Sequence, residues 1–122
     1  MKKEDLLDIV TFVRSEIFEQ ILNGEINKIL RVLYPSNREV FIISEDKDSD
    51  SLELIPYNAM RIIDISGEQE MLLKIINVEH IFLDDTKGNV FPYIIRGKEY
   101  RPEGLVFEVG NVINIEEDGT DI

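Results

Sequence analysis

From Asn27 onward the sequence is a succession of apolar, β-branched runs, each closed by residues that turn the chain. This pattern of short runs and turn signals restricts the chain to a mainly β architecture. Lys28 to Tyr34 reads as a strand stopped by Pro35-Ser36-Asn37, and Glu39 to Ser44 as a short apolar second strand. Glu45 to Ser51 is a charged loop. Residues 58 to 65 form a strand, Ser66-Gly67-Glu68 a turn, and Met71 to Phe82 a long strand, bent or bulged, interrupted by Lys74, Asn77, Glu79 and His80. Asp84 to Asn89 has turn composition. Val90 to Ile95 is a strand whose Pro92 places it at an edge or bulge, and Arg96-Gly97-Lys98 is a further turn. Gly104 to Val109 alternates as a half-buried strand does, and Gly110-Asn111 predicts a bulge or bend before Val112 to Ile115.

The N-terminus admits two readings. As one helix over 4–23, Leu6, Val10, Val13, Ile17 and Ile21 share a face. As strand then helix, Asp8 to Arg14 is β-rich, Ser15 caps a helix over Glu16 to Asn23, and Gly24 stops it. Ile17, Phe18, Ile21 and Leu22 would then be the buried stripe. One early helix before many short strands suggests an α+β chain with a small barrel or strongly bent sheet.

The chain has 122 residues, the size of a single domain spanning 1–122. With 43% hydrophobic residues it can close one core without staples, and the absence of cysteine excludes disulfides, thiolate metal sites and a cysteine nucleophile. No apolar run approaches the ~20 residues of a membrane span, and the start lacks signal-peptide character, so no membrane role and a cytoplasmic location are expected. The net charge is −12. Glu45–Glu53 carries −4, the set Asp64, Glu68 and Glu70 carries −3, and the acidic tail, expected to fray over 116–122, carries −4. These stretches hold −11 of the −12, so the acidity reads as solvated loops and a tail, leaving a near-neutral remainder.

The segment V-R-S-E-I-F-E-Q-I-L-N-G-E-I-N-K-I-L-R-V, within Val13 to Tyr34, resembles the opening of ASCH-domain proteins, which belong to the PUA-like β-barrels. Phe18, Ile21, Gly24 and Arg31 fit that family's strand, helix and strand frame. Tyr57-Asn58-Ala59-Met60-Arg61 and Pro102 to Val109 resemble two of its later strands. The resemblance favours strand then helix at the N-terminus. It implies a PUA-like barrel and a cleft beside the short helix that takes RNA or a nucleotide-like small molecule. Family members that hydrolyse amides of modified nucleosides use a lysine and a threonine, which fall here on Ile26 and Asn27, and the family's glutamate falls on Ile29. A non-catalytic module without cofactor is therefore expected.

Lys28, Arg31 and Arg38 are the first candidate ligand contacts. Arg31 suits a phosphate, carboxylate or base edge, and equally a carboxylate partner across the sheet. Tyr57 would line the cleft, with Arg61, Arg96 and Arg101 as further cations. Tyr93, Arg96, Lys98, Tyr100 and Arg101 mix aromatic and basic character, which suits base stacking with phosphate contact and equally an ordinary hairpin. His80, the lone histidine, reads as a packing or surface residue rather than a ligand, and Asp84 to Asn89 as a turn rather than a calcium loop, so no metal site is expected. No serine triad is legible around Ser15, Ser44 or Thr86, and no carboxylate pair stands out as acid and base. Two other functions fit the residues. An acidic protein-interaction module could mimic a nucleic-acid backbone. A divergent amidohydrolase would need Lys28 poised against a carboxylate. Oligomeric state is not legible.

Overall fold

A computed structural model describes residues 2–46, 51–83, 93–100 and 102–114. The described chain is mainly β with short helices, as the run-and-turn pattern requires. A 3-10 turn at Lys3–Asp5 leads into β1 (Asp8–Val13), α1 (Ser15–Leu22) and β2 (Lys28–Leu33). Then follow α2 (Arg38–Phe41), β3 (Ile42–Asp46), β4 (Ser51–Leu54), β5 (Ala59–Asp64) and β6 (Glu70–Phe82). The last elements are β7 (Tyr93–Ile95), β8 (Lys98–Tyr100) and β9 (Glu103–Val112). A five-stranded sheet runs β1-β5-β6-β9-β2, and β3-β4 and β7-β8 are separate antiparallel pairs. No helix among the described residues is long and apolar enough to cross a membrane.

Contacts divide the chain into two units made of non-contiguous segments. The first comprises 1–29, 56–77 and 107–122, the second 30–55 and 78–106. The N-terminal ambiguity resolves as strand then helix. In the first unit β1 pairs in parallel with β5, from Asp8 opposite Ala59 to Val13 opposite Asp64, and β5 pairs antiparallel with β6. A parallel pair needs a long crossover, and here residues 14–58 supply it. Alternate residues Ile9, Thr11, Met60, Ile62, Asp64, Met71 and Leu73 are buried on one face. α1 contacts β5 and buries Phe18 and Ile21, while Leu22 is 50% exposed and so falls outside the expected stripe.

Ser15 does not cap α1. The helix begins at Ser15 with Arg14 in the cap position, and the Ser15 hydroxyl donates to the Asp64 carboxylate, 2.9 Å from each oxygen. The Ser66 backbone N–H also donates to Asp64 Oδ1 at 3.0 Å. Asp64 therefore ties the start of α1 to the turn after β5. It is not the solvated surface acid its place in an acidic stretch suggests, being 1% exposed. The Ser66 N–H holds its carboxyl below the usual range against the opposing effect of desolvation, with help from the hydroxyls of Ser15 and Ser66 and from Gln69. A depressed carboxyl contributes stability that is present above its unfolded pKa of ~3.9 and lost as pH falls through the folded value. Asp64→Asn is accordingly expected to be less stable than wild type at pH 7, with the gap closing below about pH 4. Urea unfolding from pH 7 to pH 3 checks this, and a gap that stays constant would refute it.

Asn58, just before β5, ties the N-terminal segment in place. It accepts the Leu7 N–H at 2.9 Å and donates to the Asp5 carbonyl at 2.6 Å. β9 runs through Gly110-Asn111 to Val112 as one strand. Gly110 also has a packing role: a Cβ there would lie 2.8 Å from Ile76 Cδ1.

In the second unit the strand expected over Glu39 to Ser44 is half helix. Asn37 accepts the Tyr34 N–H at 2.7 Å and donates to the Val32 carbonyl at 3.1 Å, folding the chain into α2 before β3 begins at Ile42. The charged loop is correspondingly shorter: β3 runs to Asp46, and β4 starts at Ser51. Leu33, Phe41, Ile42 and Leu105 are the buried apolar side chains among the described residues of this unit. The expected turn at 84–89, Pro92, and the acidic tail lie outside the described residues.

Candidate functional site

The sequence candidates fall in different places. In the first unit Lys28 is exposed at the start of β2, and Tyr57 is half-buried before β5. Arg61 on β5 spends its charge inside the fold: its Nε donates to Asp8 Oδ2 at 3.0 Å, and Glu70 lies at 3.9 Å. In the second unit Arg31 is half-buried, its guanidinium 5.2 Å from the Phe41 ring centroid. Arg96 is exposed at the tip of the β7–β8 hairpin. Arg101 lies outside the described residues.

The hairpin tip carries a backbone tension. Arg96 has φ +52 and Gly97 φ +79. Tight hairpin turns of this hand prefer Asn, Asp or Gly at the first position, and a residue like arginine costs on the order of 1 kcal/mol there. Tyr93 and Tyr100 are cross-strand partners in this hairpin, and Ile94 is 72% exposed.

Arg38, at the start of α2, is the cation that the fold surrounds. Its Nε donates to Glu45 Oε2 at 3.1 Å and its Nη2 to Glu45 Oε1, a bidentate fork. Its Nη1 donates to Glu103 Oε1. Burial would lower the guanidinium pKa, but the bonds and charges of Glu45 and Glu103 outweigh this, so it is raised. Arg38 is therefore a permanent cation, with its Nε–H and one N–H of each Nη group committed to the two carboxylates.

Beyond Glu103 stands His80 on β6. Its Nε2 lies 3.8 Å from Glu103 Oε2, too far for a hydrogen bond, and is buried without a hydrogen-bond partner among the described residues. The imidazole packs edge-on against Phe82, ring centroids 5.1 Å apart and planes at 61°. These groups line a cleft of about 210 Å³ formed by Arg38, Glu45, Asp46, Ser51, Leu52, His80, Phe82 and Glu103. A wider, more open groove of about 540 Å³ lies along Pro35, Ser36, Glu39, Ile42, Ile43 and Ser44. Arg38 and Glu45 line both. Arg31 lines neither.

The charge of the smaller cleft decides what it can hold. One guanidinium faces the carboxylates of Glu45, Asp46 and Glu103, a net of −2 with His80 neutral. A phosphate would have to break an ion pair and approach a negative wall. A group presenting N–H donors meets carboxylate acceptors and the aromatic edge of His80 and Phe82. The described residues contain no cluster of His, Asp and Glu fit to hold a metal ion.

Arg38 stands with Lys28 and Arg31 among the sequence candidates, but its partners leave no local signal. Glu103 lies 65 residues away in sequence. His80, near the end of β6 between Glu79 and Ile81, carries no mark of its neighbour Glu103. No family model, curated protein or solved structure matches the chain.

Proposed function

We propose that the chain is a non-catalytic binding module of the PUA-like, ASCH type that its sequence resembles, and that it takes a nucleoside-like group in the smaller cleft of the second unit. The group is a free nucleoside or one unpaired base of an RNA. The observation that carries this reading is the make-up of that cleft: an aromatic His80–Phe82 pair beside carboxylate acceptors, with the sole guanidinium already neutralised. Unpaired bases are commonly held by stacking on aromatic side chains and by hydrogen bonds to their edges. The exocyclic amines of adenine and cytosine are the donors such carboxylates accept. Volume points the same way. A cleft of about 210 Å³ is below the ~300–1,000 Å³ that drug-sized ligands occupy, and suits one base rather than a whole nucleotide. The net charge of −12 favours a ligand whose phosphates stay outside.

Thermal unfolding with adenosine, cytidine, their monophosphates and short unpaired RNAs tests this. A nucleoside at 100-fold its Kd should stabilise the fold by ~2.7 kcal/mol, and a phosphate should add nothing. Phe82→Ala should abolish the shift. No shift with any of these compounds, or an equal shift in Phe82→Ala, would overturn the reading.

A further inference from the structure

We infer that His80 and Glu103 form a proton-operated latch on the Arg38 cluster. Among the described residues, His80 Nε2 is buried and makes no hydrogen bond, yet a carboxylate oxygen, Glu103 Oε2, stands 3.8 Å away. Neither neutral tautomer satisfies this nitrogen: as an acceptor it meets no donor, and as a donor it is too far from Oε2. Taking a proton from solvent changes both facts. The imidazolium carries an N–H at Nε2 and a positive charge that draws the Glu103 carboxylate toward it.

Glu103 is already engaged, because its Oε1 accepts from Arg38. Arg38 in turn holds Glu45 by its Nε and Nη2. The four side chains make one line, Glu45–Arg38–Glu103–His80, drawn from β3, α2, β9 and β6. With His80 neutral the line carries one cation and two carboxylates, a net of −1. Protonation makes it neutral, two cations alternating with two anions. A proton on His80 is therefore felt at Arg38 through a shared carboxylate. Among the described residues, the other charged group facing this cleft is Asp46 on β3, while β4 contributes the uncharged Ser51 and Leu52.

The latch closes by bringing Glu103 Oε2 onto Nε2 and re-dividing Arg38 between its two carboxylates. For the cleft, closing removes one unit of negative charge. Its effect on ligand binding rests on the proposed function, since an occupant offering N–H donors would bind more weakly with the latch closed. The latch itself needs no ligand, so it can fail or hold independently of that reading.

The test is a pH titration of the full chain, without ligand, by NMR. His80 is the one histidine, so its ring signal is unambiguous. The Glu103 carboxyl carbon and the Arg38 Nε should each show a step at the pH where the His80 ring titrates. In His80→Gln both steps should vanish. In Glu103→Gln the ring should still titrate while Arg38 Nε loses its step, because the shared carboxylate is gone. Glu103 and Arg38 signals that stay flat across the His80 titration would overturn the latch, as would a step that persists in His80→Gln. The wild-type titration and Glu103→Gln decide the matter even if His80→Gln fails to fold.

Discussion

Phe41→Ala is expected to destabilise the fold by about 3–5 kcal/mol, the usual range for removing a buried aromatic ring. Phe41 is 1% exposed, among the largest fully buried side chains. It closes α2, a helix of four residues that has no side-chain cap and little stability of its own. The ring therefore anchors the segment as well as filling the core. Its backbone carbonyl accepts the Ile55 N–H at 2.8 Å, which fixes the residue after β4. The Arg31 guanidinium lies 5.2 Å from the ring centroid, a contact worth roughly 0.5–1 kcal/mol at a half-exposed site. Phe41→Leu keeps most of the apolar volume and should cost less than half as much as alanine. Urea denaturation of the two variants separates burial from cation–π attraction. A loss below about 1.5 kcal/mol in Phe41→Ala would mean the site collapses around the gap.

The elements legible in the sequence are those whose signal is local. β2, β5, β6 and the first part of β9 fall where β-branched runs and alternation place them, because strand burial follows residue-by-residue polarity. α2 was not legible, since four residues span barely one turn and cannot display a helical period. At the N-terminus Val10, Val13 and Ile17 fall on a helical period by coincidence. The parallel partnership with β5, made by residues about fifty positions away, settles β1 as a strand. Ser15 looked like a cap because serine before an amphipathic run commonly is one. Its hydroxyl instead goes to Asp64, 49 residues on, a choice that depends on tertiary placement.

The candidate site was less legible for the same reason. Arg38 could be named as a cation worth following, but nothing nearby in sequence says which of 25 acidic residues would meet it. The two that do stand 7 and 65 residues away, on different strands. Composition hid the matter further. Assigning the acidic stretches to solvated loops overlooked that Asp64 is buried and that Glu45 closes an ion pair lining a cleft.

Arg38→Met should cost about 2–3 kcal/mol and change the cleft more than the core. Removing one partner of a buried ion pair typically costs ~3–5 kcal/mol, because the other charge stays desolvated and unpaired. The side chain of Arg38 is 23% exposed, Glu45 42% and Glu103 13%, so water relieves part of that cost, chiefly at Glu45. Glu103 is the group left in difficulty, its side chain 13% exposed and the His80 ring at 3.8 Å. Arg38→Met/Glu103→Gln should therefore be more stable than the sum of its single variants implies, a coupling of about 1–2 kcal/mol in a double-mutant cycle. Arg38→Lys keeps the charge but has no planar fork to hold Glu45 bidentately and reach Glu103 at once, so it should recover less than half of the loss. Additive single variants, or full recovery by lysine, would mean that the three side chains do not act as one unit. The salt response separates this cluster from surface pairing: exposed pairs weaken as salt rises, whereas the Arg38–Glu103 contribution should change little between 0.05 and 0.5 M NaCl.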